Sequence, residues 1–266
     1  LSRVTAGVAS GGQAQLAADV ARRFGPDNAT GIRVNAAVRN GGSAIDDEDA
    51  RLGLLAVGLD WRSRDVRLSG DIGWQDNKLS RTRTNVTLGS AVTAVPAAPD
   101  GKTNWAQPWS YSNERDLFGT LRGEWDINGS ITAYAAAGAR RSEEANSLAN
   151  LTVSDAATGA GTTYRFDNAR KDRVLTGEAG LRGTLQTGAV KHAWVLSAAS
   201  FSLEKDNAYV MDWKNTQATN LYRPVYTGQQ PAYSADALYG GALSDPRLTG
   251  KVRMSSVAIG DTLSVW

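Results

Sequence analysis

Two stretches of the chain concentrate side chains that could hold a ligand. Residues 78–112 carry Trp105, Trp109 and Tyr111 beside Asn104 and Gln107. Residues 207–250 carry Tyr209, Trp213, Tyr222, Arg223 and Tyr226, with Tyr233 and Tyr239 further on. Aromatic rings give contact area at small entropic cost, and Arg donates charge-assisted hydrogen bonds. Such a set suits an amphipathic, anionic molecule. Each ring taken singly has packing between loops as its plainer role. The cluster as a whole reads as ligand contact.

Bond-making chemistry is poorly provided for. The chain has no Cys, which removes disulfides, thiolate metal sites and a Cys nucleophile. Its one His, His192, argues against a His-based metal site or a Ser-His-Asp triad. His192 sits where a strand should begin beside a tight turn, and reads as an interfacial residue without chemistry. Asp46, Asp47, Glu48 and Asp49 offer the oxygen ligands that Ca²⁺ takes, but without the Gly and bidentate Glu spacing of a calcium loop. They read as a solvated loop. No catalytic residue, resident metal or cofactor is expected, and the protein is not expected to be an enzyme. With a net charge of +2, the chain lacks the basic stripe of a nucleic-acid binder.

The elements that must position those loops show a period of two. In 65–76, Val66, Leu68, Gly70, Ile72 and Trp74 alternate with Arg67, Ser69, Asp71, Gly73 and Gln75. In 115–126, Leu117, Leu121 and Trp125 oppose Thr120, Arg122, Glu124 and Asp126, and Asn128-Gly129 then turns the chain. Side chains alternate across a strand, so each such segment has one apolar and one charged face. Ten segments follow this pattern, at about 2–10, 13–24, 31–41, 50–61, 65–77, 113–126, 130–142, 171–186, 191–206 and 251–265. The segments 130–142 and 191–206 alternate poorly because Ala occupies both faces. In the last segment Asp261 falls on the apolar parity.

The connections are of two kinds. Tight turns at 25–30, 62–64, 127–129 and 187–190 hold Gly, Asn, Asp and Pro. The others start short at Gly11-Gly12, then grow through 42–49 and 78–112 to 143–170 and 207–250. The two kinds alternate strictly. In an up-and-down antiparallel sheet this puts every tight turn at one end and every long loop at the other. Short periplasmic turns, long extracellular loops and long two-faced strands characterise outer-membrane barrels. Phe24, Trp61, Trp74 and Trp125 lie toward strand ends on the apolar parity, as interfacial girdles require. A soluble sandwich shares the alternation, but its strands run only about five or six residues. The fold expected is all-β: a transmembrane antiparallel up-and-down β-barrel, of which residues 1–266 form a part. The inward charges Arg67, Asp71, Arg122, Glu124, Asp126, Glu178 and Arg182 are expected to pair across the wall or with whatever fills the barrel.

Several stretches resemble the barrel of TonB-dependent siderophore receptors: WSYSNERDLFGTLRGEWDINGSITAYAAAGARRSEEANSLA at 109–149, DNARKDRVLTGEAGLRGTLQTGAVKHAWVLSA at 167–198, and RMSSVAIGDTLSV at 253–265. LSRVTAGVASGGQAQLAADVARRFG at 1–25 resembles that barrel's first hairpin. The resemblance covers essentially the whole chain and implies the following. The fold is a 22-stranded barrel closed by a plug, and this chain would supply about ten strands of its N-terminal part. The plug and the TonB-contacting box lie outside the sequence, and a further periplasmic turn follows Trp266. The location is the cell outer membrane of a Gram-negative bacterium. The cargo is a ferric siderophore, with iron present only as cargo. The partners are the TonB-ExbB-ExbD complex, acting through the plug, and outer-membrane lipid and lipopolysaccharide. Substrate contact falls to Trp105, Trp109, Tyr111, Tyr209, Trp213, Tyr222, Arg223 and Tyr226. A passive pore, or a receptor for another chelate such as cobalamin, stays open.

Overall fold

A computed structural model describes residues 2–265; Leu1 and Trp266, and the turn expected after the latter, lie outside it. Ten long strands form one antiparallel wall: β1 (Ser2–Ala9), β2 (Gln13–Phe24), β3 (Thr30–Gly42), β4 (Asp49–Arg62), β5 (Val66–Ser80), β6 (Tyr111–Asn128), β7 (Ile131–Val153), β8 (Ala160–Thr187), β9 (Val190–Met211) and β10 (Leu248–Val265). Each pairs with its neighbour in sequence, so the topology is up-and-down. Strands β1 and β10 are the two edges, and the wall does not close on itself among the described residues.

Register sorts the faces as the alternation requires. One row pairs Leu68 with Trp61 and Gly123; another pairs Ile72 with Val57 and Gly119. The apolar face is bare: Leu121 is 70% exposed, Trp125 54% and Ile259 85%. Soluble monomers rarely leave so extended an apolar face uncovered, whereas a bilayer covers it. Trp125 pairs with Val66, and Trp74 follows eight residues along β5. That is about 26 Å of strand, or about 20 Å of height at a tilt near 40°, close to the apolar band of an outer-membrane barrel.

The opposite face is concave and paired. Arg67 donates to Glu124 (3.0 Å) and to both oxygens of Asp126 (2.6 and 2.7 Å), and Arg122 and Arg182 also reach Glu124 (2.8 and 2.9 Å). Thr120 donates to Asp71, and the Tyr134 hydroxyl to Glu178. These charges thus neutralise one another across the wall. Phe118 is a large apolar side chain on this face, and its ring lies over Gly73. A Cβ on Gly73 would come within 2.3 Å of that ring, so glycine is what lets a large inward side chain lie flat.

The main departure from the sequence reading lies at the long-loop end. Residues 143–153 and 160–170 are not loop but the outer parts of β7 and β8, which run to 23 and 28 residues. Only 154–159 turn. Beyond the membrane both faces of a hairpin meet water or protein, so the apolar–charged alternation that marks a lipid-crossing strand is no longer required. Likewise β9 runs on to Met211.

Asp261, off-pattern on the apolar face, is explained by His192. His192 lies two rungs from the β8–β9 turn on that same face. Its Nδ1 meets Asp261 Oδ2 at 2.6 Å, and its Nε2 meets Thr187 Oγ1 at 2.6 Å. A carboxylate at the membrane boundary is thereby given a partner instead of bare hydrocarbon.

Candidate functional site

Above the apolar band the wall carries two separate clusters, one on each face. On the face continuous with the lipid-facing side, Ala149, Leu151 and Val153 of β7 are fully buried. Water would meet this stripe once it leaves the bilayer, so it needs a cover, and the two long loops supply it. Trp105 and Leu221 pack on Leu151 and Val153, with Val86 and Tyr222 against them. Each loop also adds a short strand to the hairpin: Val86–Leu88 beside β7 and Gln217–Asn220 beside β8.

Buried amides lock the loops together. Gln107, 1% exposed, accepts from the Thr227 backbone N–H (2.7 Å) and donates to the Val225 carbonyl (2.8 Å). Asn104 donates to the carbonyls of Asp46 and Arg81, and its own carbonyl accepts from the Tyr226 hydroxyl (2.7 Å). The Trp105 indole donates to the Thr84 carbonyl (3.0 Å), and the Arg83 guanidinium covers its ring. Tyr222 donates to the Ala97 carbonyl (3.1 Å), and Arg81 stacks on Tyr226. The acidic run joins the same assembly, with Asp47 paired to Arg81 at 2.8 Å.

On the charged, concave face lies an aromatic stripe. Phe166 of β8 stacks with Tyr209 of β9 (6.3 Å between centroids), and Tyr209 stacks with Tyr239 (5.2 Å). Register fixes the face: Tyr209 pairs with Asn168, on the parity of Arg182 and Glu178. Tyr164, on that same parity, meets Trp213 edge-on at 6.0 Å and accepts from the Asn150 amide. Tyr239 and Trp213 remain half exposed or more.

The eight residues read as substrate contacts therefore divide. Tyr209 and Trp213 belong to the stripe. Trp105 and Tyr222 belong to the loop core, and Tyr226 is tied to it through Asn104. Tyr111 starts β6 on the parity of Leu117, the lipid-facing one. Trp109 is partly buried, and its indole N–H has no partner among the described residues. Arg223 is exposed and has no ion pair among the described residues. Tyr164 and Phe166 escaped the sequence reading because 143–170 read as loop. Their alternation with Arg165 and Asp167 was the available signal.

The loop that brings Trp213 to the stripe is closed at its base by Asp212, which is 1% exposed. Burial pushes its carboxyl up. Hydrogen bonds from the Ser234 N–H, the Asn215 amide, the Ser234 hydroxyl and the Lys214 N–H outweigh this and hold it below the usual carboxylate range. Lys214 and Asp236 pair beside it. A carboxyl lowered in the folded state stabilises fully above its unfolded value, about 3.9, and loses that contribution as pH falls through the folded value. Hydrogen-exchange protection across 212–236, corrected for the intrinsic exchange rate, is expected to fall as pH drops below that unfolded value of about 3.9. Asp212→Asn should flatten this change, leaving only the smaller part due to Asp236. An unaltered pH profile in that variant would remove Asp212 from the role.

No protein-family profile matches this sequence. The chain is 34% identical over 265 residues to the ferrichrome receptor FcuA of Yersinia enterocolitica, a match spanning all of this chain and 34% of that protein. Its fold matches the ferric preacinetobactin receptor BauA of Acinetobacter baumannii with a TM-score of 0.88 and 26% identity, over the whole chain and 39% of that structure. It matches the ferric-catecholate import receptor Fiu of E. coli K12 with a TM-score of 0.79 at 15% identity, again over 39% of that structure. The chain thus spans between a third and two-fifths of the length of these relatives. Alternation, loop asymmetry, sequence and fold agree: over its whole length the chain is similar to a ten-stranded arc of the barrel wall of TonB-dependent siderophore receptors.

Proposed function

We propose that residues 1–266 form part of the barrel domain of an outer-membrane receptor that binds a ferric siderophore and passes it to the periplasm. TonB, with ExbB and ExbD, would energise that step through a plug. The work is binding and energised transport, not catalysis, and iron enters only as cargo. The observation that carries this reading is the aromatic stripe Tyr164–Trp213 and Phe166–Tyr209–Tyr239. It stands on the concave face just beyond the membrane-spanning band, where a solute entering the barrel must pass. Stacked rings flanked by polar side chains suit an amphipathic chelate. The similarity to receptors named for ferrichrome, preacinetobactin and catecholate cargo supports the cargo class without choosing within it.

The test is uptake of radio-iron by cells that carry the complete protein as their receptor, using hydroxamate and catecholate chelates in turn. Accumulation should require TonB and stop when the proton-motive force is collapsed. Uptake that persists without TonB, with steady conductance in planar bilayers, would instead make the protein a passive pore. Saturable uptake of cobalamin, without iron chelates, would change the cargo and keep the mechanism.

A further inference from the structure

The inner face of the wall is uneven. On β9 and β10, every inward position from the Leu203–Val252 pair down to the Ala193–Thr262 pair is uncharged. Lys205 bounds this lane above and Lys191 bounds it below. From Leu203 to Ala193 is about 33 Å of strand, or about 25 Å of height at a tilt near 40°, the depth of the apolar band. Each of strands β2 to β6 carries charge in the rows that cross the lane, at Asp19, Arg33, Asp60, Asp71 and Arg122. The weak alternation of 191–206 is part of the same feature, since Val195, Phe201 and Leu203 stand inward where other strands place Arg or Asp.

The upper end of the lane is apolar. Val174 of β8 pairs with Leu203, and Phe201 pairs with Met254. Val252 and Met254 are 43% and 57% exposed, so hydrocarbon faces a barrel interior that is ordinarily polar. The charges on the neighbouring strand are engaged on its far side. Glu178 accepts from the Tyr134 hydroxyl of β7, and Arg182 donates to Glu124 of β6. The aromatic stripe stands on these same strands, with Tyr209 six residues above Leu203 on the same parity. Asn207 and Lys205 lie between them on that parity, and Lys205 is in register with Asp172.

We propose that cargo held at the stripe leaves it down this lane, along β9 and β10, and not across the charged sector of β2 to β6. The proposal rests on the receptor reading given above. An amphipathic chelate that slides over ion pairs such as Arg33–Asp19 or Arg67–Asp126 must strip water from charges that are already paired, which is costly. Over the lane its apolar parts keep contact with Phe201, Leu203 and Met254 without that cost. Contacts of this kind, modest and in succession, suit transit, because a solute held too tightly does not move on. Below them the lane offers Ala199, Ser197 and Ala258, small side chains that leave room for the exit.

The experiment uses the complete receptor in cells, with radio-iron carried as a ferric trihydroxamate or triscatecholate, whichever the wild type accumulates. Binding is read without TonB and uptake with it. F201E/M254E should bind the chelate within about twofold of wild type, because Tyr209 lies about 26 Å of strand above Phe201. Its uptake should be slower by about tenfold or more, since charge now interrupts the lane. F201L/M254L keeps the lane apolar and should take up iron at the wild-type rate. N35E, in the row of Leu203 but on the charged sector, should change neither binding nor uptake. Normal uptake in F201E/M254E, or an equal loss in N35E, overturns the lane. A loss of affinity that matches the loss of uptake also overturns it, by making the patch part of the binding site. Entry of a large antibiotic into TonB-less cells that carry F201E/M254E does the same, since the patch would then seat the plug. If F201E/M254E is not inserted, S197E/A258E lower in the lane carries the same readout. No TonB-dependent uptake of either chelate by the wild type would instead sink the receptor reading, and the lane with it.

Discussion

Trp105→Ala is expected to release both long loops from the outer hairpin while leaving the wall itself intact. Trp105 is the largest member of a core with few other members, namely Leu151, Val153 and Leu221. Removing it deletes the ring that covers the β7 stripe, the hydrogen bond to the Thr84 carbonyl and the seat of the Arg83 guanidinium. Burying a ring of this size and then truncating it costs about 3–5 kcal/mol. A satellite core of this size cannot supply that from elsewhere, so the segments it anchors should open locally. Residues 81–110 and 212–234 should become sensitive to protease and exchange their amides quickly. Strands β1 to β6 below the band should keep their protection. Protection unchanged in both loops would mean that the buried amides of Asn104 and Gln107 hold them without the core. Conversely, loss of protection throughout the wall would mean that the loops and the barrel fold as one unit.

The second large effect separates the two faces of a single strand. Leu121→Lys should destabilise the protein in lipid by about 2–4 kcal/mol, the cost of a lysine at the midplane of a barrel's lipid face. Leu121 lies four residues from Trp125 and four from Leu117, which pairs with Trp74. It is therefore close to the midplane. Thr120→Lys, one residue away, should cost far less, because that side chain points at Asp71 on the charged face. Reversible unfolding in urea from lipid vesicles reads both. Equal effects of the two lysines would contradict the assignment of faces, and with it the placement of the aromatic stripe inside.

Much of this was legible in the residues. The ten strands, their order and the end at which the long loops emerge follow from alternation and from turn chemistry, because lipid on one side and water on the other force a period of two. The inward charges could be foreseen as paired, since a strand cannot hide Arg67 or Glu124 from its neighbours. The outer hairpin was not legible, because beyond the bilayer the constraint that writes the pattern lapses. Ser147, Ala149, Leu151 and Val153 face protein, and their chain neighbours Asn146 and Asn150 lie on the opposite, polar parity, so small and polar residues fill both parities. For the same reason the candidate site was half visible. Tyr209, Trp213 and Tyr239 stood out by type, whereas Tyr164 and Phe166 needed the register of β8 and β9 to be brought beside them. Trp105 and Tyr222 show the limit of reading by type. A ring in a long loop carries no mark of which face it will cover, and these two cover the outside of a hairpin that the sequence did not reveal. Asp261 shows the converse, an off-pattern residue whose partner, His192, was in plain view but 69 positions away.

The central claim is that cargo is held by the stripe on the concave face and not by the loop core on the convex one. The most direct measurement is the ferric-siderophore affinity of the complete receptor, by tryptophan quenching, for Tyr209→Ala/Tyr239→Ala and for Leu221→Ala. Loss of two stacked rings should weaken binding by about tenfold or more, at about 0.5–1.5 kcal/mol for each aromatic contact. The core variant should bind within about twofold of wild type, provided its loops stay docked, which hydrogen exchange will show. Unchanged affinity in the tyrosine variant, or a larger loss in the core variant with docked loops, would contradict the account.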